Sequence, residues 1–117
     1  MTYVDGFVLA VPKDKKAADL EMARKAWPLY KEFGVLRHVE CWGDDVPEGK
    51  LTDFQGAVKA KADEIVVFSW LEYPSKEVRG AVNKKMMEDE RMSGMEMPFD
   101  GARMIFGGFA PILDESA

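Results

Sequence analysis

Apolar side chains occupy both faces of one stretch of this chain. Glu64-Ile-Val-Val-Phe-Ser-Trp-Leu-Glu-Tyr73 sends Val66, Phe68 and Trp70 one way and Ile65, Val67, Leu71 and Tyr73 the other, because strand side chains alternate. A strand apolar on both faces belongs in the middle of a sheet covered on both sides. Helices of the same chain supply one cover. A chain of 117 residues has little left for the other, which predicts a second copy of the protein against it.

The flanking pattern supplies the remaining elements. Tyr3 to Val11 reads as a strand with Tyr3, Asp5, Phe7, Leu9 and Val11 on one face and Val4, Gly6, Val8 and Ala10 on the other, ended by Pro12. Asp14 is placed to cap a helix that runs to about Phe33, with Ala17, Leu20, Arg24, Trp27, Tyr30 and Phe33 at helical spacing and Gly34 as a left-handed C-terminal cap. Pro28 inside it predicts a kink near Arg24 to Trp27. Val35 to Trp42 is a second strand, with Val35, Arg37, Val39 and Cys41 on one face and Leu36, His38, Glu40 and Trp42 on the other. The connection from Gly43 to Asp63 is too long for an idle loop. It predicts a short strand or turn around Phe54 to Val58, as part of an arm that reaches over a pocket or a partner.

After the central strand, Pro74-Ser75 marks a second helix with Ser75 as its cap, its apolar stripe Val78, Ala81, Val82 and Met86 ending near Glu88. A methionine-rich segment, Met92, Met95 and Met97, leads to the turn Pro98-Phe-Asp-Gly101 and a last strand, Arg103 to Leu113. Gly107-Gly108 within it predicts a bulge or a close approach by another backbone or a ligand. The order is β, α, β, arm, β, α, β, a repeated split βαβ unit, which defines a ferredoxin-like α+β domain with an antiparallel sheet. Right-handed crossovers put strands one and three in the centre. With both helices on one face, two copies close sheet to sheet as a dimeric α+β barrel.

Composition narrows the function classes. The net charge of −5 argues against nucleic acid as a partner, since the lysine clusters at 13–16, 59–61 and 84–85 are interleaved with acids. No apolar run approaches the roughly 20 residues of a membrane span, and the start of the chain has no signal-peptide pattern. One cysteine, Cys41, forms no disulfide within the chain and fits a reducing, cytoplasmic setting. No phosphate loop, nucleophile elbow or metal-ligand spacing is present, so no cofactor and no metal is expected.

Several segments together resemble one family. Tyr3-Val-Asp-Gly-Phe7 with Pro12, Glu40-Cys41 followed by Asp44-Asp45, Val66-Val-Phe-Ser-Trp70, and Met97-Pro-Phe-Asp-Gly101 with Arg103-Met and Gly107-Gly-Phe109 resemble the DUF1428 (YbaA-like) family across nearly the whole chain. The resemblance implies a small bacterial protein of the dimeric α+β barrel superfamily. Relatives in that superfamily include cofactor-independent monooxygenases.

The candidate chemistry gathers on the second strand. His38, the one histidine, lies two residues from Glu40 on the face shared with Trp42, an imidazole with a carboxylate orienter able to move protons near neutral pH. The competing structural reading is a histidine satisfied at an interface. Asp5, among apolar neighbours, needs a cation such as Arg103 or has a raised pKa that serves a purpose. Tyr30, Trp42 and Trp70 belong to an aromatic set able to line a flat pocket as well as fill a core. The expected protein is a homodimer that binds a small aromatic or hydrophobic molecule between sheet and helices, in its enzymatic form a cofactor-independent monooxygenase-like catalyst. In that reading His38, Glu40 and Asp5 are catalytic, and Trp42, Trp70, Arg103 and Tyr30 hold the substrate. The alternative is a non-catalytic dimeric interaction module built from the same residues.

Overall fold

The computed structural model describes residues 2–117. At its centre β1 (Tyr3–Pro12) pairs antiparallel with β3 (Glu64–Tyr73) over ten residues, from Tyr3 opposite Tyr73 to Pro12 opposite Glu64. β2 (Arg37–Trp42) flanks β3 and β4 (Ile105–Phe109) flanks β1, so the order is β2-β3-β1-β4 with every neighbouring pair antiparallel. α1 (Lys16–Phe33) and α3 (Lys76–Glu88) both pack on one face of the sheet. There Trp27, Tyr30 and Phe33 of α1 and Val78, Val82 and Met86 of α3 enclose Leu71, Tyr73 and Tyr3. This is the ferredoxin-like α+β fold, with the doubly apolar strand at the centre where its two faces demand cover.

The alternation of β1, β2 and β3 sorts the site residues. Asp5, Phe7 and Leu9, then His38, Glu40 and Trp42, then Val67, Ser69 and Leu71 stand on the helix side, because the cross-strand pairs His38 with Leu71, Glu40 with Ser69 and Phe7 with Ser69 share a face. Val4, Gly6, Val8, Phe68, Trp70, Ile105 and Phe109 stand on the other side. That side is covered at one end only. α2 (Phe54–Ala57), capped by Asp53 through the Gly56 amide at 2.6 Å, lays Val58 into a small core with Ala10 and Val66 and sets Phe54 edge-on to Phe68.

The structure departs from several of these expectations. The strand or turn anticipated in the arm is the short helix α2, whose Asp53 cap supplies what the sequence shows only as another loop acid. Asp14 caps nothing by its side chain: a 3₁₀ turn, Lys13–Lys15, follows Pro12, and α1 begins at Lys16. α1 is continuous through Pro28, and Trp27, Tyr30 and Phe33 of its expected stripe pack on the core, but in its first turns the stripe gives way. Asp19, Ala26 and Leu29 are buried while Leu20 is half exposed. The second strand is shorter than expected, beginning at Arg37, and Leu36 is exposed before it. The last strand is also shorter, Ile105–Phe109, with Gly101–Arg103 wound into a 3₁₀ turn and the residues after Phe109 outside the sheet. Its glycines form no bulge, since Asp5 faces Gly108 and Gly6 faces Gly107 in unbroken register. Gly108 instead makes room for the Tyr3 ring, whose hydroxyl would lie 2.5 Å from a Cβ at that position.

Candidate functional site

Asp5 is satisfied by a built ion pair. Its carboxylate accepts from Arg79 Nη2 at 2.7 Å and Nε at 3.0 Å, and from the buried Tyr73 hydroxyl at 2.7 Å. The cation is therefore Arg79 on α3 and not Arg103. Burial, the Asp5 hydrogen bond and the Asp5 charge together hold the Tyr73 phenol far above its ordinary range, so it stays a donor. Arg103 sits at the far end of β3, gripping Glu64 with both Nη atoms at 2.7 Å while also bonding Asp100 and the Lys59 carbonyl. Its guanidinium holds the Glu64 carboxyl down at about 2. Both residues fasten the fold.

The tryptophans separate in the same way. Trp42 packs on Leu9, Val11 and Val67 beneath Lys16, whose ammonium lies 5.4 Å from the ring. Trp70 is on the opposite side of the sheet from His38, its indole N–H donating to Glu72 at 2.9 Å. Of the seven expected site residues, His38, Glu40 and Tyr30 share one cavity.

That cavity, about 190 Å³, lies between α1 and the sheet. Met22, Ala23, Ala26 and Tyr30 of α1 form one wall, while Phe7, Leu9, His38, Glu40, Ser69 and Leu71 form the floor. The strap after α3 lines a third side with Met92, Met95, Met97, Phe99 and Met104. The Tyr30 ring meets the His38 imidazole edge-on at 5.4 Å. Burial lowers the His38 pKa, which keeps the imidazole neutral, and raises that of Tyr30 together with the charges of Glu40 and Asp5.

Glu40 is the group poised to exchange a proton. Burial lifts its carboxyl to about 7; the Ser69 hydrogen bond opposes the shift, and the charge and hydrogen bond of Asp19 add to it. Asp19 reaches Glu40 from α1 and is 2% exposed. Its own pKa is raised by burial, against the lowering effect of the Glu40 hydrogen bond. Its Oδ1 has no partner among the described residues. Burial raises both carboxyls, so ionising the two together is costly, and Asp19 Oδ1 is left without a donor. Asp19 escaped sequence reading because an acid in an amphipathic helix is assigned to solvent. Its signal was position: Asp19, Met22, Ala23 and Ala26 fall on one face at helical spacing.

A larger hollow, about 630 Å³, lies on the uncovered side of the sheet, walled by Val4, Val8, Phe68, Trp70, Ile105 and Phe109. Its one titratable side chain, Glu72, is engaged by Trp70 and, at 3.5 Å, by Arg37. The chemistry lies in the smaller cavity and the exposed apolar surface in the larger hollow. Among the described residues no helix is long and apolar enough to cross a membrane, and no group of three or more His, Cys, Asp or Glu side chains could hold a metal.

Comparison with known proteins bears on these observations. The model of the family described as protein of unknown function (DUF1428) matches residues 2–101. The uncharacterised protein YbaA of Escherichia coli strain K12 is 68% identical over 117 residues, covering 98% of this chain and all of that protein. Among solved structures, a candidate antibiotic biosynthesis monooxygenase from Bacillus cereus is similar at a TM-score of 0.62 and 10% identity, over 100% of this chain and 97% of that one. A dimeric ferredoxin-like protein from an uncultured marine organism is similar at 0.59 and 10%, over 98% of this chain and 100% of that one. At such identities the likeness is one of fold.

Proposed function

We propose that this chain, which belongs to the DUF1428 family, is a homodimeric small-molecule-binding protein whose helix-side cavity handles a proton through Glu40 and Asp19. The observation that carries this reading is the Glu40 carboxyl on the cavity wall, lifted to about 7 with Asp19 behind it. A carboxyl held near neutrality both gives and takes a proton at working pH, the property general acid–base chemistry requires. His38, which burial keeps neutral, and Tyr30 place a hydrogen-bonding edge and an aromatic wall around the ligand. The enzymatic form is a cofactor-independent activity of the monooxygenase-like kind, in which Glu40 withdraws a proton from the bound molecule.

The uncovered side of the sheet supports the homodimer. Phe68 is 44% exposed and Phe109 63% exposed around the larger hollow, an apolar surface of the sort that marks an interface. A ferredoxin-like neighbour is itself described as dimeric.

Native mass spectrometry of gently purified protein, compared with its denatured mass, tests both parts. A dimer is expected that carries, or takes up from a library of single-ring compounds, one small molecule per subunit. His38→Ala is expected to keep the dimer and weaken ligand retention, because His38 lies on the helix side. A variant that instead falls apart into monomers would favour the non-catalytic interaction module.

A further inference from the structure

Carboxylates that this chain takes out of water are elsewhere given a guanidinium. Asp5 has Arg79 and Glu64 has Arg103, each at 2.7 Å. Asp19 and Glu40 form no ion pair with a lysine or arginine among the described residues, although Asp19 is the more deeply buried and one of its oxygens lacks any donor. Two cations of the neighbouring elements are engaged elsewhere. Arg79 is locked on Asp5, and Lys16, one turn before Asp19 on α1, lies over the Trp42 ring. The other groups facing the pair, His38 and Tyr30 from the cavity and Ser69 across the strand, bring no positive charge at neutral pH. A negative charge beside an apolar cavity without a counter-ion is costly, and a ligand that supplies one recovers that cost.

We propose that the helix-side cavity binds a small organic ammonium ion, a single ring carrying one protonated amine, with Glu40 and Asp19 as its counter-charge. This names the ligand class of the small-molecule site proposed above and rests on that reading. The size follows from the cavity: 190 Å³ is little more than the roughly 150 Å³ engineered cavity that accepts benzene, so one ring with a short arm fits. The walls suit a cation. Tyr30, Phe7 and Phe99 offer aromatic faces and edges, and the strap methionines offer polarisable sulfur, while no positive side chain lines the space. A carboxylate or phosphate would meet like charge with nothing to neutralise it.

The test is calorimetric titration of the intact protein with three isosteric probes, benzylamine, benzyl alcohol and benzoate, mapped in parallel on amide NMR spectra. Benzylamine is expected to bind about tenfold or more tighter than benzyl alcohol, the increment of a charge-assisted contact over a neutral one, and benzoate not at all. Shifts should centre on Ala26, Ser69 and Leu71. The double variant Asp19→Asn/Glu40→Gln, whose amides preserve the shape and remove both charges, should bring benzylamine to the level of the alcohol with the spectrum otherwise retained, whereas Glu40→Gln alone, which leaves the Asp19 charge, should keep the amine preference. An alcohol that binds as tightly as the amine would overturn the ammonium assignment and leave the small-molecule site standing. Amine shifts scattered over the surface acids would overturn it as non-specific adsorption. Silence from both amine and alcohol would remove the ammonium assignment together with the site reading.

Discussion

At the scale of single residues, two half-buried acids, Glu40 and Glu64, face opposite fates as pH changes. Glu40 sits at about 7 in the folded chain against an ordinary 4.5, so between those values the native state binds more protons than the unfolded one and stability falls as pH rises. Glu64, held down at about 2 by Arg103, gives stability that is lost as pH falls from 4.5 towards 2. Denaturant unfolding across pH should therefore show a maximum near about pH 5, with about 2 kcal/mol lost on the alkaline side after allowance for solvent screening. Glu40→Gln should flatten that alkaline limb and exceed the wild type above about pH 7; a limb that persists in the variant would place the titration elsewhere. Asp5 is held by its ion pair with Arg79. Arg79→Ala strands a buried carboxylate and should cost about 3 kcal/mol in the same measurement, whereas a cost under about 0.5 kcal/mol would mean the pair is solvated. Glu40 and His38 were legible in the sequence as two polar side chains on one strand face. Asp19 and Arg79 were not, because alternation along a strand says nothing about which helical residue reaches it from the layer above.

Elements were more legible than the contacts between them. β1 and β3 declared themselves through two-sided alternation, and α3 through Ser75, whose hydroxyl accepts from the Val78 amide at 3.1 Å. α1 was legible in its C-terminal half, where Trp27, Tyr30 and Phe33 pack as the stripe predicts, but not in its first turns, where Leu20 is exposed and small residues let the helix approach the sheet at Ala23 and Ala26. The arm was invisible as a helix because four residues, Phe54–Ala57, are too few for a period. Two glycines separate backbone need from mere tolerance. Gly34 ends α1 at φ +118°, where a Cβ would also stand 3.0 Å from Val78, so Gly34→Ala should cost about 1–2 kcal/mol. Gly80 lies within α3 with nothing within 4 Å of its Cβ position, and Gly80→Ala should stabilise by about 0.5–1 kcal/mol. Thermal unfolding of the pair should move in opposite directions. Equal shifts would mean the left-handed cap at Gly34 is not a constraint.

For the molecule as a whole, the strand that is apolar on both faces poses a problem that one copy only half solves. α1 and α3 seal the helix side, and the arm brings Val58 over Ala10 and Val66, but Phe68 and Trp70 remain beside an open hollow with Ile105 and Phe109. A second copy related by a two-fold axis would lay the same residues against themselves, which is the geometry an isologous interface requires. Phe68 is the residue to probe, because it sits on a central strand, contacts Trp70 at 5.9 Å and meets the arm through Phe54. Phe68→Asp would set two carboxylates into the apolar middle of such an interface, at a cost of several kcal/mol that association cannot absorb. Its own fold keeps the helix-side core, which Phe68 does not touch. Sedimentation should therefore give a dimer for the wild type, little changed by added salt because the contact is apolar, and a folded monomer for the variant. A variant that stays dimeric would move the interface off this face, and the helix-side cavity would then have to be weighed without a partner behind its sheet.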